Sequence, residues 1–122
     1  MTSTFLWLAA ALTLATALLH SLFGEMRLIR PLLSLNAGVL KTDRTRKLVR
    51  FSWHATSLLW IVIAYVLASA ARDFSTADPF LIGLIGIIHL AVGLFDAIMT
   101  KGRHVGWPPL TLIGVFSLLA LT

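Results

Sequence analysis

The sequence predicts an all-α protein, a four-transmembrane-helix bundle with a cytoplasmic interfacial segment between its first and second helices. Three observations predict it. The chain of 122 residues is 58% hydrophobic and only 12% charged, whereas about a quarter of an ordinary soluble domain is charged. Its mean hydropathy is +0.91. The few charges are also clustered, leaving nearly uncharged stretches close to the roughly 20 residues a spanning helix needs.

The first span runs over 4–23 ("TFLWLAAALTLATALLHSLF"). "ATA" at 15–17 has the small residues of a signal-peptide cleavage site, but no Lys or Arg precedes the apolar stretch, so it reads as a retained span. The second span covers 51–71, the third 79–100 and the fourth 106–122. Pro108 suits a first helical position. A helix of about 15 residues from there reaches only ~22 Å, short of the ~30 Å hydrocarbon core. Trp107 is therefore expected in the interface, with the C-terminus drawn inward.

The bases give the orientation. Seven of them (Arg27, Arg30, Lys41, Arg44, Arg46, Lys47 and Arg50) lie between spans one and two, and Lys101 and Arg103 lie between three and four. Only Arg72 falls on the other side, so both termini are expected to be periplasmic. The pI near 10.9 then reflects this topology and attraction to anionic lipid head groups, not nucleic acid. With no cysteine in the chain, disulfides, thiolate metal sites and cysteine nucleophiles are excluded.

The basic loop, 24–50, is the only sizeable extramembrane segment. If residues 25–36 ("EMRLIRPLLSLN") form a helix, Arg27, Arg30 and Ser34 share one face, and apolar residues fill the opposite arc. Such a helix would lie in the interface, although Pro31 argues against an unbroken one. Glu25 falls within the apolar arc and needs a partner.

Apolar burial does not discriminate between helix faces in lipid, so small and polar residues mark the contacts. Span one offers Ala9, Thr13, Thr16, His20 and Gly24. Span two offers Arg50, His54, Ser57, Ile61, Ala64 and Ala68. Span three gives Gly86, His89, Gly93, Asp96 and Thr100, and span four gives Thr111, Gly114 and Ser117. Packing accounts for the small members but not for the ionisable ones, which are costly inside a membrane.

Depth groups those ionisable residues. His20, His54 and Asp96 fall ~5–6 Å inside the cytoplasmic boundary, with Glu25 and His104 at it. Imidazoles and carboxylates at one depth would suit Zn, Fe, Cu or Ni, or a haem held by His20 and His54. Glu25, Asp96 and His104 would then add ligands or orient the rings. The spacing matches no metal motif, and simple pairing among these residues and nearby bases is the competing reading. His89 is an interhelical hydrogen-bond partner or, stacked seven residues before Asp96, part of a proton path. Trp7, Trp53 and Trp107 sit near span ends like aromatic-belt anchors, while Trp60 is deeper and suits packing.

The stretches "HSLFGE" (20–25), "WHATSLLW" (53–60) and "RHVGWP" (103–108) resemble a group of small four-span bacterial membrane proteins of uncharacterised function. The resemblance implies a bacterial inner-membrane setting and no particular activity. Length and span number also resemble the small multidrug resistance transporters. Those carry an essential glutamate within the first span, whereas Glu25 here follows it.

The expected function is an integral membrane protein with a His/carboxylate site at its cytoplasmic end. The alternatives are a small proton-coupled transporter and an accessory subunit of a larger membrane complex or homo-oligomer. Alkaline phosphatase fused after Thr122 should be active and a fusion near Thr42 inactive; the opposite pattern would invert the topology.

Overall fold

The computed structural model describes residues 1–122 and is all-helical, with no strand. The principal helices are α1 (Thr2–Gly24), α2 (Arg30–Ser34), α3 (Asp43–Arg72), α4 (Pro79–Met99) and α5 (Trp107–Leu119). A π-helical turn over Glu25–Ile29 joins α1 to α2, so one apolar helical stretch runs from Thr2 to Ser34. That stretch, α3 and α4 are each long and apolar enough to cross a membrane. With 13 residues, α5 spans only ~20 Å.

Local chemistry sets the helix ends. The Thr42 hydroxyl accepts from the Thr45 N–H at 3.3 Å, and Asp43 adds a carboxylate to the first turn. This cap starts α3 well before the apolar run at Phe51, so its first two turns stand outside the expected span. Lys47 hydrogen-bonds Asp43, and with Arg46 it holds that carboxyl below the usual aspartate range. Asp78 caps α4 on the Phe80 N–H at 2.9 Å. At the far end of α4, Lys101 and Gly102 take positive φ, and the Gly102 N–H returns to the Ala97 carbonyl.

The continuous first helix differs from the separate interfacial helix expected from the sequence. Pro31 has no N–H to offer the helix and its ring crowds the preceding turn. The π turn immediately before it widens the spiral, and the Arg30 N–H reaches back five residues to the Glu25 carbonyl. The helix thus passes the proline instead of breaking.

Helix α1 packs on both α3 and α5, and α5 packs on α4. The core lies toward the end that carries the chain termini, where Leu6, Ala9 and Ala10 of α1 meet Leu67, Ala70 and Ala71 of α3, and Ile82 and Ile85 of α4. The Ser3 hydroxyl also ties α1 to the Ala71 carbonyl at 2.7 Å. Outward faces stay apolar: Leu58, Ile87 and Ile98 are 62%, 59% and 75% exposed, as lipid-facing residues would be.

The α4–α5 contact depends on glycine. A Cβ on Gly114 would come within 2.5 Å of the Leu90 backbone nitrogen and 2.8 Å of the Gly86 carbonyl oxygen. A Cβ on Gly93 would strike the Thr111 backbone. Backbone cannot rotate aside as a side chain can, so the helices would have to separate. Gly114→Ala should therefore cost roughly 1–3 kcal/mol in detergent unfolding. Gly83→Ala, whose Cβ would meet only a Leu121 methyl at 3.4 Å, should change little. Equal effects would discount the close approach.

Candidate functional site

The polar residues singled out by depth divide between two places. Helices α1 and α3 bring together His20, Ser21, Glu25, Arg50, Trp53, His54, Ser57 and Trp60. Asp96 at the end of α4 meets His104 in the loop before α5.

In the first cluster, each turn of α1 has a polar partner on α3. His54 has both ring nitrogens engaged: Nδ1 lies 2.7 Å from the Ser21 hydroxyl and Nε2 lies 3.3 Å from Glu25 Oε2. A carboxylate can only accept, so Nε2–H donates to Glu25 and Nδ1 is left to accept the Ser21 O–H. His20 Nδ1 shares a hydrogen bond of 2.9 Å with the Ser57 hydroxyl. Its ring stacks on Trp53 with centroids 3.9 Å apart and meets Trp60 edge-on at 5.1 Å. The Trp53 indole N–H donates to the His20 carbonyl at 3.0 Å. Gly24 makes room for that indole, since a Cβ there would occupy its ring.

Glu25 anchors the cluster. Its side chain is 15% exposed and its Oε1 faces Arg50 Nη2 at 3.1 Å and Arg30 Nε at 3.4 Å. The pairing with Arg30 depends on the π turn. In a regular α-helix, residues five apart point ~140° away from each other, whereas the i to i+5 register of a π turn brings them together. The carboxylate assigned to the apolar arc on α-helical geometry thus finds three partners.

In the second cluster, His104 Nδ1 lies 2.6 Å from Asp96 Oδ2, and Gly106 backs onto both side chains. The Trp107 indole N–H donates to the Gly102 carbonyl at 3.2 Å, which folds the loop under α5.

The five residues grouped by depth are hydrogen-bonded in two separate sets, not one. No group of three or more His, Asp or Glu side chains is placed to hold a metal ion. The reason is lateral. A shared depth does not give a shared position, because α3 and α4 flank different neighbours. His20 and His54 are each hydrogen-bonded to a serine on the opposite helix.

Three residues take roles more specific than any assigned to them from the sequence. Ser21 and Ser57 bond the histidines, and Trp53, expected as a belt anchor, is fastened to the His20 ring and carbonyl. For those on α3 the signal was spacing, since Trp53, Ser57 and Trp60 recur at intervals of three to four on the face that meets α1. His89 is buried at 5% exposure, with Nδ1–H donating to its own helix at the Ile85 carbonyl, 2.8 Å away. Its Nε2 is buried without a partner, as are the Thr111 and Ser117 hydroxyls.

Replacing Glu25 by Gln should lower stability by roughly 1–2 kcal/mol, because it removes charge from three hydrogen-bonded partners at a mostly enclosed position. Asp43→Asn, whose pairs lie at the surface, should cost less in the same chemical unfolding experiment. The opposite ranking would remove Glu25 as the anchor. No family model matches the chain, and no curated protein or solved structure is significantly similar to it.

Proposed function

We propose that this chain is a four-span bacterial inner-membrane protein with periplasmic termini, whose cytoplasmic end holds a proton-handling His/carboxylate site. The observation that carries the reading is His54, joined to Ser21 through one ring nitrogen and to Glu25 through the other. This is a relay of groups that can each give and accept a proton, with Glu25 held in turn by Arg30 and Arg50 at the basic end. A proton arriving on Nδ1 turns the Ser21 hydroxyl from donor to acceptor and leaves His54 as a cation beside the carboxylate.

Geometry favours this over a metal centre. A metal would have to displace the Ser21 or Glu25 bond to reach a lone pair of His54, and no third ligand waits beside it. Haem ligation by His20 and His54 meets the same obstacle at His54, and the His20 ring is stacked on Trp53 at 3.9 Å. The second reading, a proton-coupled carrier, is favoured by the buried, unpartnered Nε2 of His89 deep in α4. An acceptor without a partner in an apolar interior is costly, and a proton path would use it.

Nitrogen-15 NMR of histidine-labelled protein tests the relay. Neutral His54 should be the Nε2–H tautomer, with a bare Nδ1 that accepts from the Ser21 hydroxyl. Glu25→Gln should shift the His54 resonances and leave His89 unmoved. Indifference of His54 to Glu25→Gln, or a stoichiometric transition metal or haem in the purified protein, would overturn the proposal.

A further inference from the structure

The relay ends at Glu25, and the two guanidiniums that hold it extend into a separate feature. Between α2 and the start of α3 lies an open cavity of about 650 Å³. Four of its lining residues are cationic: Arg30, Arg46, Lys47 and Arg50. Asp43 is the one acid in its wall, and Glu25 stands behind Arg30 and Arg50. Four positive charges against two carboxylates leave a net of two positive charges around one concavity.

The cations are not all loose surface chains. Arg46 is fixed by hydrogen bonds from Nη1 to Asn36 Oδ1 at 2.8 Å and to the Leu40 carbonyl at 3.1 Å. Lys47 is drawn toward the groove by Asp43, 2.8 Å away, and Arg50 by Glu25. Arg30 meets Glu25 through Nε alone, and with its side chain 69% exposed it can turn its Nη groups to a ligand. Guanidinium forks and an ammonium converging on one space are the chemistry that recognises a phosphate group.

The reverse side of the same hairpin points to where that phosphate comes from. There, Leu28, Leu32, Leu48 and Val49 line an apolar hollow beside Trp53. One hairpin therefore presents an apolar wall and a cationic groove at the same height, which matches the boundary between acyl chains and phosphates in a bilayer. Phe51 and Leu33 give the groove itself a small apolar wall.

We propose that the groove formed by Arg30, Arg46, Lys47 and Arg50 is a specific binding site for a phosphate group, supplied by the head of an anionic phospholipid. This goes beyond the general attraction of a basic loop to a membrane, because it places recognition at one cavity. It rests on the membrane-spanning reading but not on the His54 relay.

The test titrates the full-length, detergent-solubilised protein with short-chain phosphatidylglycerol and, separately, with inorganic phosphate. Saturable binding is expected for both, tighter for the lipid; tighter binding of inorganic phosphate would overturn the lipid as the source. The double variant R30Q/K47Q should weaken phosphatidylglycerol binding about 25-fold, at about fivefold for each base removed. R30K/K47R, which keeps both charges, should retain most of the affinity. K101Q/R103Q removes the same charge from the loop before α5 and should change affinity by no more than about twofold, as expected of distant screened charges. Equal losses in the two neutralising double variants, failure of R30K/K47R to bind while it stays folded, or no saturable binding of either ligand would overturn the groove as a site. Each outcome is read without reference to His54, so the relay stands or falls separately.

Discussion

For helices this apolar, the constraint on which everything else depends is the lack of a reason to adhere. Lipid solvates leucine as well as another leucine does, so association must come from close backbone approach and polar contacts. This chain uses one of each. Helices α4 and α5 are held by glycine, with Gly86, Gly93 and Gly114 letting one backbone lie against the other. Helices α1 and α3 are held by hydrogen bonds that cross between His20 and Ser57, Ser21 and His54, Glu25 and Arg50. The use of two devices explains why the ionisable residues of α1 and α3 lie at the contact between those helices.

The cross-helix bonds also decide what chemistry is open to the site. A histidine with both nitrogens committed is a poor metal ligand but a good proton carrier, because moving a proton needs only a change of donor and acceptor. Trp53 and Trp60 reinforce this by enclosing His20 with flat, apolar surfaces that fix its ring plane. Asp96 at the end of α4 and His104 before α5 form a second, simpler pair with no hydrogen bond into the α1–α3 network.

The π turn links local sequence to the site most directly. Pro31 makes a regular α-helix unfavourable just where the chain leaves the apolar span. The wider turn that accommodates it re-registers Arg30 onto Glu25. A single backbone adjustment thus keeps the first helix continuous, completes the partners of a mostly enclosed carboxylate, and sets one wall of the cationic groove.

The sequence by itself determined the all-helical character, the three long apolar helices and the shortness of the fourth, because length and hydropathy are sums over consecutive residues. It also determined that Gly86, Gly93, Thr111 and Gly114 would mark a helix contact, since small residues at helical spacing have few other uses in lipid. It marked His54 for a polar partner, because an imidazole left bare is costly. Only the tertiary structure decided which partner. Depth along a helix is legible from residue number, but position around the axis and the choice of neighbouring helix are not. For that reason His20, Glu25, His54, Asp96 and His104 share a level without sharing a centre. The cap at Thr42 and the π turn at Glu25 are short-range effects that change helix phase and length by a few residues. Such small changes turn a side chain toward a neighbour or away from it, and the π turn brought Arg30 to Glu25.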